Sequence, residues 1–244
     1  MESNSSSNYN SLQVTVKKRF SKGLQMLLSY TYSHSLDDYS GTDVSDVTLI
    51  PGNMVNEQNY ASSDFDRRQR FVASYVYNLP GFYRGSSSFG KALVNSWALS
   101  GIVTLQSGEP FSIYGQDSAF EATRADMAAG RTLASAIRSG SVNSRLNDYF
   151  DPTAFVQPTA LGDFGQLGRN ILRGPKQINT DFSIMKNFPV AEKQRVEFRA
   201  EIFNLFNNVN FANPINIVSS ANFGQIDATT TGPRVVQFAL KYEF

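Results

Sequence analysis

The sequence has no cysteine and a single histidine among 244 residues. Without thiols it forms no disulfide and no thiolate metal site, and one imidazole leaves no pair for a zinc or di-iron centre. Neither sign of charge dominates, with 22 basic against 21 acidic residues and a formal net charge of +1. The clustered basic surface that nucleic-acid phosphates require is therefore missing, and no nucleic-acid partner is expected. Long apolar runs are missing too, since no stretch approaches the roughly 18 to 20 residues of a membrane-spanning helix. The first ten residues, Met1 to Asn10, carry no basic start, apolar core or small-residue cleavage site, and do not read as a secretory signal. A membrane barrel stays open, because alternating strands average out to the modest mean hydropathy of -0.28.

What the sequence does have is a period of two. Leu12, Val14, Val16 and Phe20 alternate with polar residues, with Lys18 as a misfit; after the turn at 21–23 come Leu24, Met26, Leu28, Tyr30 and Tyr32, with Leu27 out of phase. These two segments predict a hairpin. Five more follow. Phe71 to Leu79 ends at Pro80-Gly81, and Trp97 to Leu105 comes next. Ile178 to Phe188 carries Lys186 as a misfit and is expected to stop at Pro189. Val196, Phe198, Ala200, Ile202 and Phe206 alternate against Arg195, Glu197, Arg199 and Glu201, and Val236 to Phe244 closes the chain. Connections near 21–23, 80–96 and 189–194 are short or medium. Those near 33–67, 107–176 and 207–232 are long and polar, and the two kinds alternate strictly, as outer-membrane barrels require of their two ends.

The predicted fold is all-β: an antiparallel up-and-down meander of seven long strands, an incomplete outer-membrane β-barrel with long extracellular loops. Val196, Phe198, Ala200, Ile202 and Phe238 are expected to face lipid, and Arg195, Glu197, Arg199 and Glu201 to form a charge ladder facing the lumen. A one-residue slip would put both arginines in lipid, at about 2 to 4 kcal/mol each near the midplane. Tyr30, Tyr32, Trp97, Phe188, Phe206 and Phe244 fall where interfacial aromatic girdles lie.

The closing residues Arg234 to Phe244 resemble the last strand of a bacterial outer-membrane barrel, which ends in an aromatic residue. The resemblance implies that Leu240, Tyr242 and Phe244 form the signal read by the barrel-assembly machinery. Asn8 to Phe20, Ser29 to Ser33, Phe65 to Phe71, Gly168 to Pro175 and Phe198 to Asn207 resemble the C-terminal barrel region of TonB-dependent receptors, the Oar-like group in particular. That family implies a barrel of about 22 strands around a plug domain, with uptake of a scarce ligand driven by TonB. On this resemblance residues 1–244 are expected to be the C-terminal portion of such a receptor barrel, lacking the plug and N-terminal strands, and unable to transport alone because β edges in hydrocarbon are not tolerated. Its implied partners are outer-membrane lipid and lipopolysaccharide, the assembly machinery, the rest of barrel and plug, and TonB. The implied location is the outer membrane of a Gram-negative type bacterium.

The competing reading is a soluble or surface β-sandwich serving as an adhesion or carbohydrate-binding module. An enzyme is not expected: only His34 offers an imidazole base, and no G-x-S-x-G elbow occurs. His34 beside Asp37 and Asp38 suggests a metal or catalytic site, but solvated loop surface is the preferred reading, and no metal or cofactor is expected. Arg67, Arg68 and Arg70, near Asp64 and Asp66, either grip lipopolysaccharide phosphates or pair among themselves at a loop-to-strand junction; the second is favoured. Glycines 162, 165, 168 and 174 match no phosphate loop and read as turns. Residues 119–140, with Arg124, Asp126, Arg131 and Arg138, are expected to hold a short helix over the barrel mouth.

Overall fold

A computed structural model describes residues 6–40, 59–115, 123–159, 165–191 and 194–244. Its main element is one antiparallel sheet of long strands in chain order: β1 (Ser7–Ser21), β2 (Leu24–Asp37), β3 (Gln69–Asn78), β4 (Trp97–Gln106), β5 (Gln177–Ala191), β6 (Gln194–Phe203) and β7 (Val235–Glu243). All seven alternating segments are strands, joined as a meander. Ala61–Ser62 pairs with the end of β2, and short two-stranded pairs lie in the loops. The large sheet has no second large sheet packed on it among the described residues, so the sandwich reading fails: its two facing layers are not there. No described helix is long and apolar enough to cross a membrane.

Register carries the sequence period across the whole sheet. Met26, Tyr75, Gly101, Phe182, Ile202 and Val236 occupy one continuous row, each directly opposite the next. The neighbouring row on the other face runs Gln25, Val76, Ser100, Ser183, Glu201 and Gln237. One face is thus apolar and the other predominantly polar. The polar face is hollowed where a trough of about 500 Å³ crosses it between Lys17 of β1 and Glu201 of β6, lined by Leu27, Ile102 and Phe203 as well as Ser74, Ser100 and Asp181. A curved wall with a wet inner face and an oily outer face is the segment of a barrel. The sheet is not closed. β1 is exposed along its entire length and so is nearly all of β7.

The β1–β2 turn consists of Lys22 and Gly23 with φ of 51° and 80°, the two positive values of a type I′ hairpin. Gly23 is required twice over, because a Cβ there would fall on the carbonyl oxygen of Asn78, whose N–H donates to Gly23 O at 2.8 Å. Pro189 does not stop β5, contrary to expectation; the strand runs to Ala191 with Pro189 opposite Arg195. The N–H of Asn187 donates toward β4, to Ser96 O. At Pro189, two residues on and facing the same way, β4 has already ended, so no partner lacks a donor. Phe206 lies beyond the end of β6, in a turn with Asn204 and Asn207 at positive φ, and is not part of the strand's alternation.

None of the buried apolar residues lies in the seven long strands. Phe111, Ile113, Ala125, Ala136, Phe150, Ala154, Phe155, Leu172 and Ile226 all belong to the long connections 107–176 and 204–234. The expectation that these loops are simply polar is therefore corrected. They pack into a cap at one end of the sheet, with the Phe150 ring edge-on to Phe155 and Phe223 at 5.5 and 5.0 Å between centroids. The expected helix in 119–140 shrinks to one turn, α2 (Leu133–Ala136). Thr132 and Ser135 form its capping box, while 123–124 and 126–127 are extended and 119–122 lie outside the described residues. A helix the sequence reading missed, α1 (Ser88–Val94), sits in the β3–β4 connection.

Candidate functional site

Alternation along β2 puts Ser33, Ser35 and Asp37 on one side at the loop end of the sheet, where the 59–69 segment lies over them. Ser33 Oγ donates to Arg67 O at 3.0 Å, and the Ser35 N–H donates to Asp66 Oδ1 at 2.8 Å. Arg169, 2% exposed, enters this layer from the long 107–176 connection. Its Nη2 donates to the Asp37 carboxylate and to Asp37 O at 2.8 Å, Nη1 to Ser40 Oγ at 3.2 Å and Asp64 Oδ1 at 3.3 Å, and Nε to Asn59 O at 3.0 Å. Asn170, at φ 55°, follows with its side-chain amide on Ser62 O at 2.7 Å and on Asp64. Arg173 pairs with Asp66, which Arg68 also approaches at 3.2 Å, and Arg67 pairs with Glu109. A guanidinium that satisfies several carbonyls and a carboxylate at once fixes the relative placement of the segments that supply them. This layer is the staple that holds the cap on the sheet.

Arg124, 1% exposed, donates to the Asn59 side chain and to Leu167 O at 3.4 Å. Burial pushes its pKa down to about 10, with Arg169 adding to the effect and Tyr114 opposing it.

These placements change one expectation and bear on another. His34, Asp37 and Asp38 are not solvated loop: β2 extends to Asp37, both aspartates are buried, and His34 Nε2 lies 3.3 Å from Ser62 Oγ. Asp37 is buried because Arg169 arrives from across the chain, and Asp38 because its Oδ2 accepts from the Ser6 N–H at 2.7 Å. Arg67 and Arg68 are engaged by Glu109 and Asp66, while Arg70 stays exposed on the polar face between Thr31 and Gln106. Gly165 takes φ 70°, Gly168 lies beside Ile171, and Gly174 sits where chain segments meet; Gly162 lies outside the described residues. No group of His and acidic residues able to hold a metal occurs among the described residues.

The predicted ladder occupies the concave face. Arg199 lies between Glu197 at 2.7 Å and Glu201 at 3.5 Å, and Arg195 pairs across the strand with Glu243. Val196, Phe198, Ala200 and Ile202 take the opposite face, where Phe198 and Phe238 stack with centroids 6.1 Å apart. At the C-terminal end Leu240, Tyr242 and Phe244 are all exposed, on the edge strand β7 and just beyond it.

A cavity of about 340 Å³ opens in the cap, floored by Phe111, Phe150 and Leu172 and rimmed by Arg138, Arg145 and Tyr149. Arg138 is paired with Asp148 at 2.7 Å. Arg145 lies over the Tyr149 ring at 4.7 Å and donates to the carbonyls of Arg138 and Tyr149 at 2.7 and 3.2 Å. The same burial pushes the Tyr149 hydroxyl pKa up. The floor is apolar, and both rim arginines are engaged within the cap.

The sequence profile of the outer membrane beta barrel domain matches residues 1–237. This chain belongs to that family. The match agrees with a two-faced antiparallel meander that has no membrane-spanning helix among the described residues, and it places the outer membrane beta barrel protein in the outer membrane of Gram-negative bacteria. No curated protein and no solved structure matches it. The residues that sequence reading missed are Arg169, Asn170 and Asn210. The last has a side-chain amide that accepts from Ile178 N at 2.7 Å and donates to Ile178 O at 2.9 Å, as a strand would. A signal existed for the first two, since both fall in the Gly168 to Pro175 string.

Proposed function

We propose that this outer membrane beta barrel protein forms the C-terminal wall and extracellular cap of a TonB-dependent receptor of the Oar-like kind, binding a scarce ligand for uptake. One observation supports this most: the meander of seven long strands is open, and its parity forbids simple closure. β1 and β7 both run from the loop end to the turn end, so they are parallel to one another. Antiparallel closure therefore needs an odd number of further strands. A barrel of about 22 strands, the size of plugged outer-membrane transporters, supplies an odd remainder.

In this reading the short turns face the periplasm and the cap faces outward. The concave face carrying Arg195, Glu197, Arg199 and Glu201 lines the lumen and packs on the plug. Leu240, Tyr242 and Phe244 engage the assembly machinery. The Arg145 and Tyr149 cavity receives the ligand at the mouth. No catalytic role is assigned.

Reading the genomic DNA upstream of Met1 tests the proposal. An in-frame continuation into more alternating strands and a plug supports it, whereas a closed, heat-modifiable barrel formed by residues 1–244 alone overturns it.

A further inference from the structure

Lys186 breaks the apolar face of the sheet. It stands between Ile184 and Phe188 on β5, opposite Trp97 and Phe198, in a row otherwise meant for lipid. Its side chain is nevertheless fully buried. What covers it is the β3–β4 connection, residues 79–96, which folds back over the apolar side of the sheet. Lys186 Nζ donates to Asn95 O and lies 5.2 and 5.1 Å from the centres of the Trp97 and Phe188 rings. Trp97 Nε1 donates to Leu93 O in the last turn of α1 at 3.2 Å. The connection is held in shape from within, because the Asn95 amide accepts from Tyr83 N at 3.0 Å and donates to Tyr83 O at 3.1 Å.

The surface this fold-back presents is unusual for a turn in water. Phe82, Phe89 and Leu93 are 65%, 76% and 53% exposed. Phe89 and Leu93 are one helical turn apart and share a face of α1, with Lys91 on the other side. Residues 79–96 contain Arg84 and Lys91 and no acidic residue. Aromatic and aliphatic residues on one side, cations on the other and no acids is the composition of a segment that lies in a membrane interface. It is continuous with the apolar face of the sheet at the level of Trp97, Phe188 and Tyr242.

We propose that residues 79–96 are an interfacial anchor lying in the phospholipid leaflet at the turn end of the barrel wall. Phe82, Phe89 and Leu93 enter the acyl boundary, and Arg84 and Lys91 meet lipid phosphates. Lys186 is the internal post to which the anchor is tied. The inference depends on the outer-membrane assignment and not on the receptor reading, so a failure of the receptor proposal leaves it standing.

The chain has no native thiol, so single-cysteine variants take a nitroxide label at one site only. Phe89→Cys, Leu93→Cys, Lys91→Cys and, as a reference on the apolar face, Phe198→Cys are labelled in the complete barrel protein, any thiol outside residues 1–244 first replaced by serine, in vesicles of phosphatidylethanolamine and phosphatidylglycerol. The labelled helix residues are exposed, so the substitutions leave the fold intact. The expected result is a several-fold higher ratio of oxygen to nickel-chelate accessibility at Phe89, Leu93 and Phe198 than at Lys91. Phe89 and Leu93 labels as open to the nickel reagent as the Lys91 label overturn the anchor. Labels closed to both reagents also overturn it, since they place protein rather than lipid on the helix. Reversing the cations with Arg84→Glu and Lys91→Glu is expected to shift the Phe89 label toward water; no shift overturns the phosphate contact.

Discussion

Arg169 and Asp37, 132 residues apart in sequence, meet in the buried layer between sheet and cap, where one guanidinium nitrogen serves both the carboxylate and the backbone carbonyl of the aspartate. The pair ties the end of β2 directly to the 107–176 connection. Removing one member of a buried ion pair leaves the other charge uncompensated, at about 3 to 5 kcal/mol. Arg169→Ala is therefore expected to loosen the cap while the sheet persists. Amide exchange should rise at Ile113, Ala125 and Leu172 and stay unchanged in β4 and β5. Equal protection of the cap in variant and parent would contradict the staple.

The two faces of the sheet make opposite demands at adjacent positions. Ala200, opposite Phe238, is on the apolar face, and Gln237, opposite Glu201, is on the polar one. Ala200→Arg is expected to cost about 2 to 4 kcal/mol in a bilayer, and Gln237→Arg close to nothing. Equilibrium unfolding of the complete barrel in vesicles measures both. Similar costs for the two would mean that the faces are not distinguished by their solvents.

Gly108 shows why a glycine can matter without a turn. A Cβ added there falls on the carbonyl oxygen of Gly174, whose own N–H donates to Glu109 O at 2.8 Å. Two backbones cross in contact, and neither atom belongs to a side chain that can swing away. Gly108→Ala is expected to destabilise the cap by about 1 to 3 kcal/mol, seen as a lower midpoint for proteolysis within 107–176. Sequence reading took Gly174 for a turn residue, because nothing local to it announces a neighbour from residue 108.

The same contrast decides how much of the molecule was legible. β1 to β7 announce themselves because each strand repeats its environment every second residue, and one register satisfies Val196, Phe198, Ala200 and Ile202 together. The cap has no such period. Phe111, Phe150, Phe155 and Leu172 each sit in a short irregular piece, and their shared core appears only after the chain returns from far away. Asp37 looked solvated beside His34 for that reason, its partner Arg169 being out of reach of any local pattern. Lys186 was visible as a misfit, but α1, in the connection that covers it, was hidden in a stretch read only as a short or medium connection.

Acidity should act on the cap at Asp151. Asp151 caps the short helical turn Pro152–Ala154: its Oδ1 accepts from Thr153 Oγ1 at 2.7 Å and from the Thr153 N–H at 3.1 Å, with Arg131 at 3.5 Å. The Thr153 hydroxyl does most to hold its carboxyl below the usual carboxylate range, and Arg131 and Arg138 add to it. A carboxyl whose folded pKa lies below its unfolded value lends stability that is fully present above the unfolded value. That stability disappears as pH falls through the folded value. Exchange at Thr153 and Ala154 is therefore expected to accelerate on acidification into and below the carboxylate range, beyond the intrinsic pH dependence of exchange, and Asp151→Asn should remove that extra acceleration. Identical pH profiles for Asp151→Asn and the parent chain would show that the carboxylate does not hold this turn.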